Sequence, residues 1–242
     1  MSRTAIVGAM QEELAALIAC MSDVTPTERA GRQFWFGHLE GREVVLGLSR
    51  IGKVAAATTA AVLLSEFPIE RVVFTGTAGG LAGGVRVGDM VVAQSLLQHD
   101  MDASPLFPRH EVPLYGQDRF ATDPLMAAAL GEAALAALAE LGEGASSVHH
   151  GLIVSGDRFV STAQENEQLR ARLPEALAVE MEGAALAQVC FDFKVPFGVV
   201  RTVSDRADDA AHVDFNRFVV EVASRHTLAL TRHYLRSLPK PL

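Results

Sequence analysis

Short apolar runs, each closed by glycine or a polar turn, alternate along this chain with longer stretches whose apolar residues recur at helical spacing. Thr4-Ala5-Ile6-Val7-Gly8 reads as a first buried strand, and Met10-Gln11-Glu12-Glu13 opens a helix running through Leu14, Leu17 and Ile18. Phe34-Trp35-Phe36-Gly37 and Val44-Val45-Leu46 predict a hairpin with its turn at Gly41. Ser49-Arg50-Ile51-Gly52-Lys53 leads into an alanine-rich helix from Val54 to about Glu66, followed by the strand Arg71-Val72-Val73-Phe74. A glycine-dense stretch from Thr75 to Gly84 comes next, and Val87 to Ala93 returns as a strand. Asp123-Pro124 places Asp at an N-cap and Pro in the first turn of a helix that runs to about Leu141 and stops at Gly142. Val148 to Val154 predicts a strand, and Thr162-Ala163-Gln164-Glu165 a capping box. Ala176 to Val179 leads into an apolar, buried helix from Glu182 to about Phe191. Pro196 to Val200 is the last core strand and ends at Ser204-Asp205. Asp214 then caps a long C-terminal helix carrying Phe215, Phe218, Val219 and Val222 at helical spacing.

Near-continuous Val/Ile/Leu runs mark strands covered on both faces, and strands alternating with helices predict an α/β fold. The expectation is a three-layer αβα sandwich around a central mixed, mostly parallel sheet. With 242 residues and no linker composition, a single domain over 1–242 is expected. Residues 98–120 break the pattern: they lack periodicity and hold Pro105, Pro108, Pro113 and Gly116. An irregular segment that long reads as a lid, a binding loop or an oligomer contact. Its His99, Asp100 and Asp102 read as a solvated turn, not a metal site. His149-His150 are placed in a turn and His226 with His233 on a helix face.

Composition changes the picture by exclusion. A formal charge of -8 argues against a nucleic-acid partner, because such binding rests on neutralising phosphates with Lys and Arg. A nucleoside carries no phosphate and stays open. The two cysteines, Cys20 and Cys190, have no CxxC spacing and suggest reduced thiols in a cytoplasmic protein. The start of the chain turns acidic too soon for a signal peptide, and no apolar run reaches membrane-spanning length.

The chemistry sits at the ends of the apolar runs. Ala178-Val179-Glu180-Met181-Glu182-Gly183 and Arg201-Thr202-Val203-Ser204-Asp205 each put a carboxylate beyond a buried strand, where α/β proteins bind ligands. Glu13 is a third acid at such a turn. Singly, each is explained as a helix cap or first-turn acid. Together, beside the glycine-rich stretch, they suit hydrolysis of a glycosidic bond, which needs a base for water, an acid for the leaving group and a carboxylate near the developing cation. Thr75 to Gly84 lacks both the GxGxxG order and a GKS or GKT ending, so it fits an uncharged polar ligand better than a nucleotide phosphate.

The runs I-V-G-A-M-Q-E-E, S-R-I-G-K-V-A-A-A, T-G-T-A-G-G-L, G-L-I-V-S-G-D-R-F-V, V-E-M-E-G and R-T-V-S-D fall in that order over about residues 4 to 235. In this the chain resembles the 5'-methylthioadenosine/S-adenosylhomocysteine nucleosidases, a family within the purine nucleoside phosphorylase superfamily. The resemblance implies a homodimer of αβα sandwiches that hydrolyses the N-glycosidic bond to free adenine without metal or cofactor. It implies that Glu13 activates the water attacking C1', and that Asp205, held by Ser204, protonates or hydrogen-bonds the leaving adenine at N7. Glu182 would bind the ribose hydroxyls with Met181 packed under the sugar. Phe159 would stack on adenine while the Val160 backbone reads its edge. Met10, Ile51 and Phe215 would line the apolar side for the 5'-thioalkyl group, and Thr77 and Ala78 the glycine-rich wall. For this chemistry Asp205 must hold a proton near neutral pH, which burial promotes, and Glu13 must stay ionised, which a helix N-terminus favours.

Two places depart from the family pattern. After His99-Asp100-Met101-Asp102 the segment reads Ala103-Ser104-Pro105-Leu106-Phe107-Pro108-Arg109, and Arg50 stands where the family commonly has Gly. Arg50 is read as outward and solvated, although an inward Arg would meet a carboxylate on the 5' substituent. The alternatives are a related nucleosidase acting on aminofutalosine, or a phosphorylase with Arg86, Arg201 and Arg206 as its available cations.

Overall fold

Alternate residues of the apolar runs fall into separate cores, as a pleated strand of period two requires. Ile6, Val73, Val92 and Val200 join one core with Leu14, Leu17, Leu130 and Leu230. Their neighbours Val7, Phe74, Val91 and Val199 join another with Leu63, Ala184 and Ala187. The computed structural model describes residues 3–208, Ala211, Phe215, Phe218 and residues 222–239. The strands are β1 (Arg3–Gly8), β2 (Ser22–Arg29), β3 (Arg32–Leu39), β4 (Arg42–Leu48), β5 (Ile69–Gly80), β6 (Met90–Gln98), β7 (Arg119–Ala121), β8 (Val148–Ser155), β9 (Ala176–Glu180) and β10 (Phe197–Asp205). The helices are α1 (Gln11–Cys20), α2 (Lys53–Glu66), α3 (Pro124–Glu140), α4 (Ala163–Arg172), α5 (Gly183–Phe193) and α6 (Ser224–Ser237). Helix α6 packs on α1 and α3, and α2 packs on α5. Among the described residues, no helix is long and apolar enough to cross a membrane.

The strands form one 10-stranded mixed sheet. Parallel pairs (β1–β4, β1–β5, β5–β10, β6–β8, β8–β9) are matched by antiparallel ones (β2–β3, β3–β4, β5–β9, β6–β7, β6–β10), so the sheet is mixed but not mostly parallel. Strands β5, β10, β6, β8 and β9 pair in a closed circuit. That closure brings strand ends together: Asp205 pairs with Gly79, Gly79 with Val179, and Ser155 with Glu180.

Several expectations shift. The strand placed at Val87 begins at Met90, because Arg86–Asp89 forms a tight turn, with Gly88 at φ +91 and the Asp89 carboxylate accepting from the Arg86 N–H. It then continues to Gln98. His149 and His150 lie in β8, not in a turn, and His149 pairs with buried Asp89 at 2.8 Å. His226 and His233 do lie on α6. His99 is buried, not solvated, and Asp100 is paired with Lys53 at 2.6 Å. The Thr162 hydroxyl caps α4 by accepting from the Glu165 N–H, while the Glu165 carboxylate returns to the Ser161 N–H. Strand β2 was not foreseen; it is polar and exposed, held by its pairing with β3. The expected Asp214 cap and Val219 lie outside the described residues.

Candidate active site

Each acid lies at or just beyond the end of a strand, and for Glu13 and Glu182 that strand leads into a helix. Beyond β1, Glu13 sits one turn into α1 and curls back, accepting from the N–H of Ala9 at 2.8 Å and of Met10 at 3.1 Å. Its other oxygen accepts from the Thr77 N–H at 3.1 Å and faces the Thr77 hydroxyl at 3.3 Å, both at the end of β5. Glu13 is therefore a helix cap and, at the same time, part of a cavity wall. Asp205 ends β10, buried, accepting from the Ser204 hydroxyl at 2.7 Å and the Ala207 N–H at 2.8 Å. Glu182 precedes α5 and accepts from the Gly52 N–H at 2.8 Å. Gly52 has φ +96, a conformation glycine takes without strain, and it brings the β4–α2 turn down onto Glu182.

These groups face one cavity of about 360 Å³. Glu13, Glu182, Asp205 and Ser204 supply its polar wall, with Thr77 and Ala78 from β5. Met181, Met10, Ile51, Phe159, Val160 and Phe215 supply the apolar remainder. All of the candidate residues named from the sequence thus line a single cavity. Phe159 and Phe215 meet edge to face, 5.5 Å between centroids, and Phe159 and Ile51 are 38% and 57% exposed. The cavity is aromatic and open at the mouth and acidic at the bottom.

The bottom also holds Glu180, which sequence reasoning did not assign, and Arg201, which it named only as an available phosphate cation. Glu180 and Arg201 line the cavity, joined at 2.6 Å, and both are buried. Arg201 lies over the Phe74 ring at 4.0 Å, and its Nε and Nη1 have no hydrogen-bond partner among the described residues. Burial pushes the Glu13 carboxyl above its ordinary value, opposed by Arg201 and then by the N–H groups of Met10, Ala9 and Thr77. The N–H groups at the helix start thus favour ionisation as expected, but desolvation outweighs them. Burial, then the charge of Glu180, push Glu182 up to about 8, with Arg201 opposing. One cation, Arg201, thus faces three buried acids, and burial together with the like charge of Glu180 favours the protonated form of Glu182.

A model of the phosphorylase superfamily matches residues 3–236. The 5'-methylthioadenosine/S-adenosylhomocysteine nucleosidase of Shewanella denitrificans is 38% identical over 233 residues, 96% of this chain and 98% of the relative. The chain belongs to the 5'-methylthioadenosine/S-adenosylhomocysteine nucleosidase family. The solved nucleosidase of Neisseria meningitidis in complex with methylthio-immucillin-A is 37% identical, with a TM-score of 0.90 over 98% of this chain and 100% of that one. The chain is also similar to the futalosine hydrolase of Helicobacter pylori, at 30% identity and a TM-score of 0.87, covering 98% of each chain.

At the two departures from the nucleosidase pattern the structure is specific. Arg50 has φ +64 and points outward, its Nη2 donating to the Gly31 carbonyl at 2.8 Å. The left-handed backbone there explains why glycine suits this position. Just before the altered segment, Asp100 accepts from Lys53 Nζ and from the Asp157 N–H. Tyr115 packs on Phe120 and hydrogen-bonds Asp192 at 2.7 Å. Leu106 and Leu114 stay exposed.

Proposed function

We propose that this protein hydrolyses the N-glycosidic bond of 5'-methylthioadenosine and S-adenosylhomocysteine, releasing adenine and the 5-thioribose product. The observation that carries the reading is the convergence of Glu13, Glu182 and Asp205 on one cavity whose mouth is aromatic and apolar. Adenine stacks on Phe159, with its edge against the Val160 backbone. The ribose hydroxyls bind Glu182, and Met181 packs below the sugar. Asp205 donates a proton to adenine N7, the C1'–N9 bond breaks, and adenine leaves as a neutral base. Water adds to the oxocarbenium carbon and passes its proton to Glu13. A base whose pKa is raised by burial is better matched to work near neutral pH. Met10, Ile51 and Phe215 face the 5'-thioalkyl group, Thr77 and Ala78 form the glycine-rich wall, and Ser204 holds Asp205. The reaction needs neither metal nor cofactor.

The unpartnered N–H groups of Arg201 would suit phosphate, but a Cβ on Gly76 would meet Glu13 Oε1 at 2.7 Å and Arg201 Nη1 at 3.0 Å. The acid and the cation therefore flank the same point, and an anion entering there is repelled by Glu13, whereas water is not. The outward Arg50 offers no cation to a carboxylate on the 5' substituent, which favours methylthioadenosine, whose 5' group is uncharged, over substrates that carry one.

The three-layer arrangement belongs to the same reading, supported by the α1–α3–α6 and α2–α5 groupings on the two cores. So does a cytoplasmic homodimer. Both cysteines are free thiols, and Val54 of α2 with Phe191 and Phe193 of α5 present apolar side chains to solvent. The variants Asp205→Asn and Glu13→Gln test the roles: each is expected to lower adenine release about 1,000-fold while a thionucleoside still binds. Normal turnover in either removes that residue from its role.

A further inference from the structure

We propose that Glu180 is a positioning residue for the hydrolysis assigned above, on which this inference rests: it aligns Arg201 and the start of α5, and so holds the water side and the ribose side of the cavity in register.

Glu180 is the last residue of β9, and both its oxygens are saturated from within the chain. One accepts from the Ser155 hydroxyl and from the Gly183 N–H at 2.9 Å. The other accepts from Arg201 Nη2 at 2.6 Å, the Gly183 N–H at 2.8 Å and the Glu182 N–H at 3.2 Å. A carboxylate offers about four lone-pair sites, so little remains for a ligand although the residue lines the cavity. Ser155 extends the fixation by accepting from the Ala184 N–H at 2.7 Å. A Cβ on Gly183 would meet Leu96 at 2.6 Å and the Glu180 oxygens at 3.1 and 3.2 Å, so the glycine lets α5 begin directly on this acid.

The consequence runs two ways. On one side, Arg201 is clamped between the Glu180 carboxylate and the Phe74 face, which leaves Nε and Nη1 for whatever enters beside Glu13. A buried guanidinium with spare donors is tolerable where its remaining partners arrive with the reaction, and its aim must then be set by groups that do not react. On the other side, the N–H contacts to Glu182 and Gly183 fix the backbone from which the Glu182 carboxyl reaches the ribose. The charge of Glu180 also helps keep that carboxyl protonated.

Two measurements test this. The first does not depend on turnover: 15N NMR of the Arg201 guanidinium, assigned by its loss in Arg201→Gln, with and without Glu180→Gln. Slow rotation in the wild type and fast rotation in Glu180→Gln are expected; equal restraint in both overturns the proposal. The second is adenine release from methylthioadenosine by the wild type, both single variants and the double variant. Gln keeps an oxygen for the Glu182 and Gly183 N–H groups and removes the charge that holds Arg201. Glu180→Gln is therefore expected to lower kcat about 100-fold with KM within about threefold, and to add less than about threefold to Arg201→Gln. Losses that multiply independently overturn it, because a residue acting through Arg201 has little left to lose once Arg201 is gone. If Glu180→Gln does not fold, Glu180→Asp keeps the charge and is expected to retain the restrained guanidinium and part of kcat; a freely rotating guanidinium there overturns the proposal. A wild type that releases no adenine would sink the hydrolase reading while the NMR measurement still decides whether Glu180 aligns Arg201.

Discussion

Replacing Glu182 with Gln is expected to stabilise the protein, increasingly so as the pH rises. Glu182 is 6% exposed, and its carboxyl is lifted from its ordinary 4.5 to about 8 by burial and by Glu180. A carboxyl raised in the folded state holds a proton that the unfolded chain has already lost, so between about pH 4.5 and about pH 8 the folded state loses stability with rising pH. Below that window both states are protonated; above it both are ionised and the penalty is constant. The full interval corresponds to about 5 kcal/mol, and relaxation of the buried site reduces the realised effect to on the order of 2 kcal/mol. Gln keeps an oxygen for the Gly52 N–H, so the bond seen at 2.8 Å survives. Urea unfolding at about pH 5, 6.5 and 8 measures the difference between variant and wild type. It should be near zero at the lowest pH, grow through the window and level off above about 8. A difference independent of pH, or one that turns against the variant as pH rises, would refute the reasoning.

Two further substitutions probe the geometry. Gly76→Ala would put its methyl 2.7 Å from Glu13 Oε1 at a φ of +152, so the clamped Glu13 carboxylate must move. A loss of about 1–3 kcal/mol in stability and at least tenfold in adenine release is expected, whereas Gly83→Ala, with open space around it, should be neutral by melting temperature and turnover. Arg50→Ala tests the outward reading: thionucleoside turnover should stay within about twofold, since only the bond to the Gly31 carbonyl is lost. A large rise in KM for adenosylhomocysteine would instead place Arg50 in the 5' subsite.

What the sequence made legible follows from local rules. Strand ends, the Asp123 cap and the hairpin at Gly41 each carry their signal in adjacent residues, and each appears in the fold. The candidate site residues were legible because all but Phe215 lie in one of the six motifs. Three features were not. Strand β2, Ser22–Arg29, exposes almost every residue and so has no apolar alternation to read. The closed circuit of β5, β10, β6, β8 and β9 depends on register between distant strands, which period alone does not report. Glu180 and Arg201 sit in the motifs V-E-M-E-G and R-T-V-S-D, but Glu180 has no role in the sequence reading and Arg201 only that of an available phosphate cation, because spacing cannot say which acid of V-E-M-E-G meets ligand and which meets a cation. The signal that could have found them was an arginine inside an otherwise apolar strand, F-G-V-V-R-T-V, since a buried guanidinium demands a buried acid.

The most direct test of the hydrolase reading is adenine release from methylthioadenosine, adenosylhomocysteine and aminofutalosine, each with and without phosphate. Release from the first two, unchanged by phosphate, is the predicted result. Phosphate-dependent release, or activity confined to aminofutalosine, would contradict it.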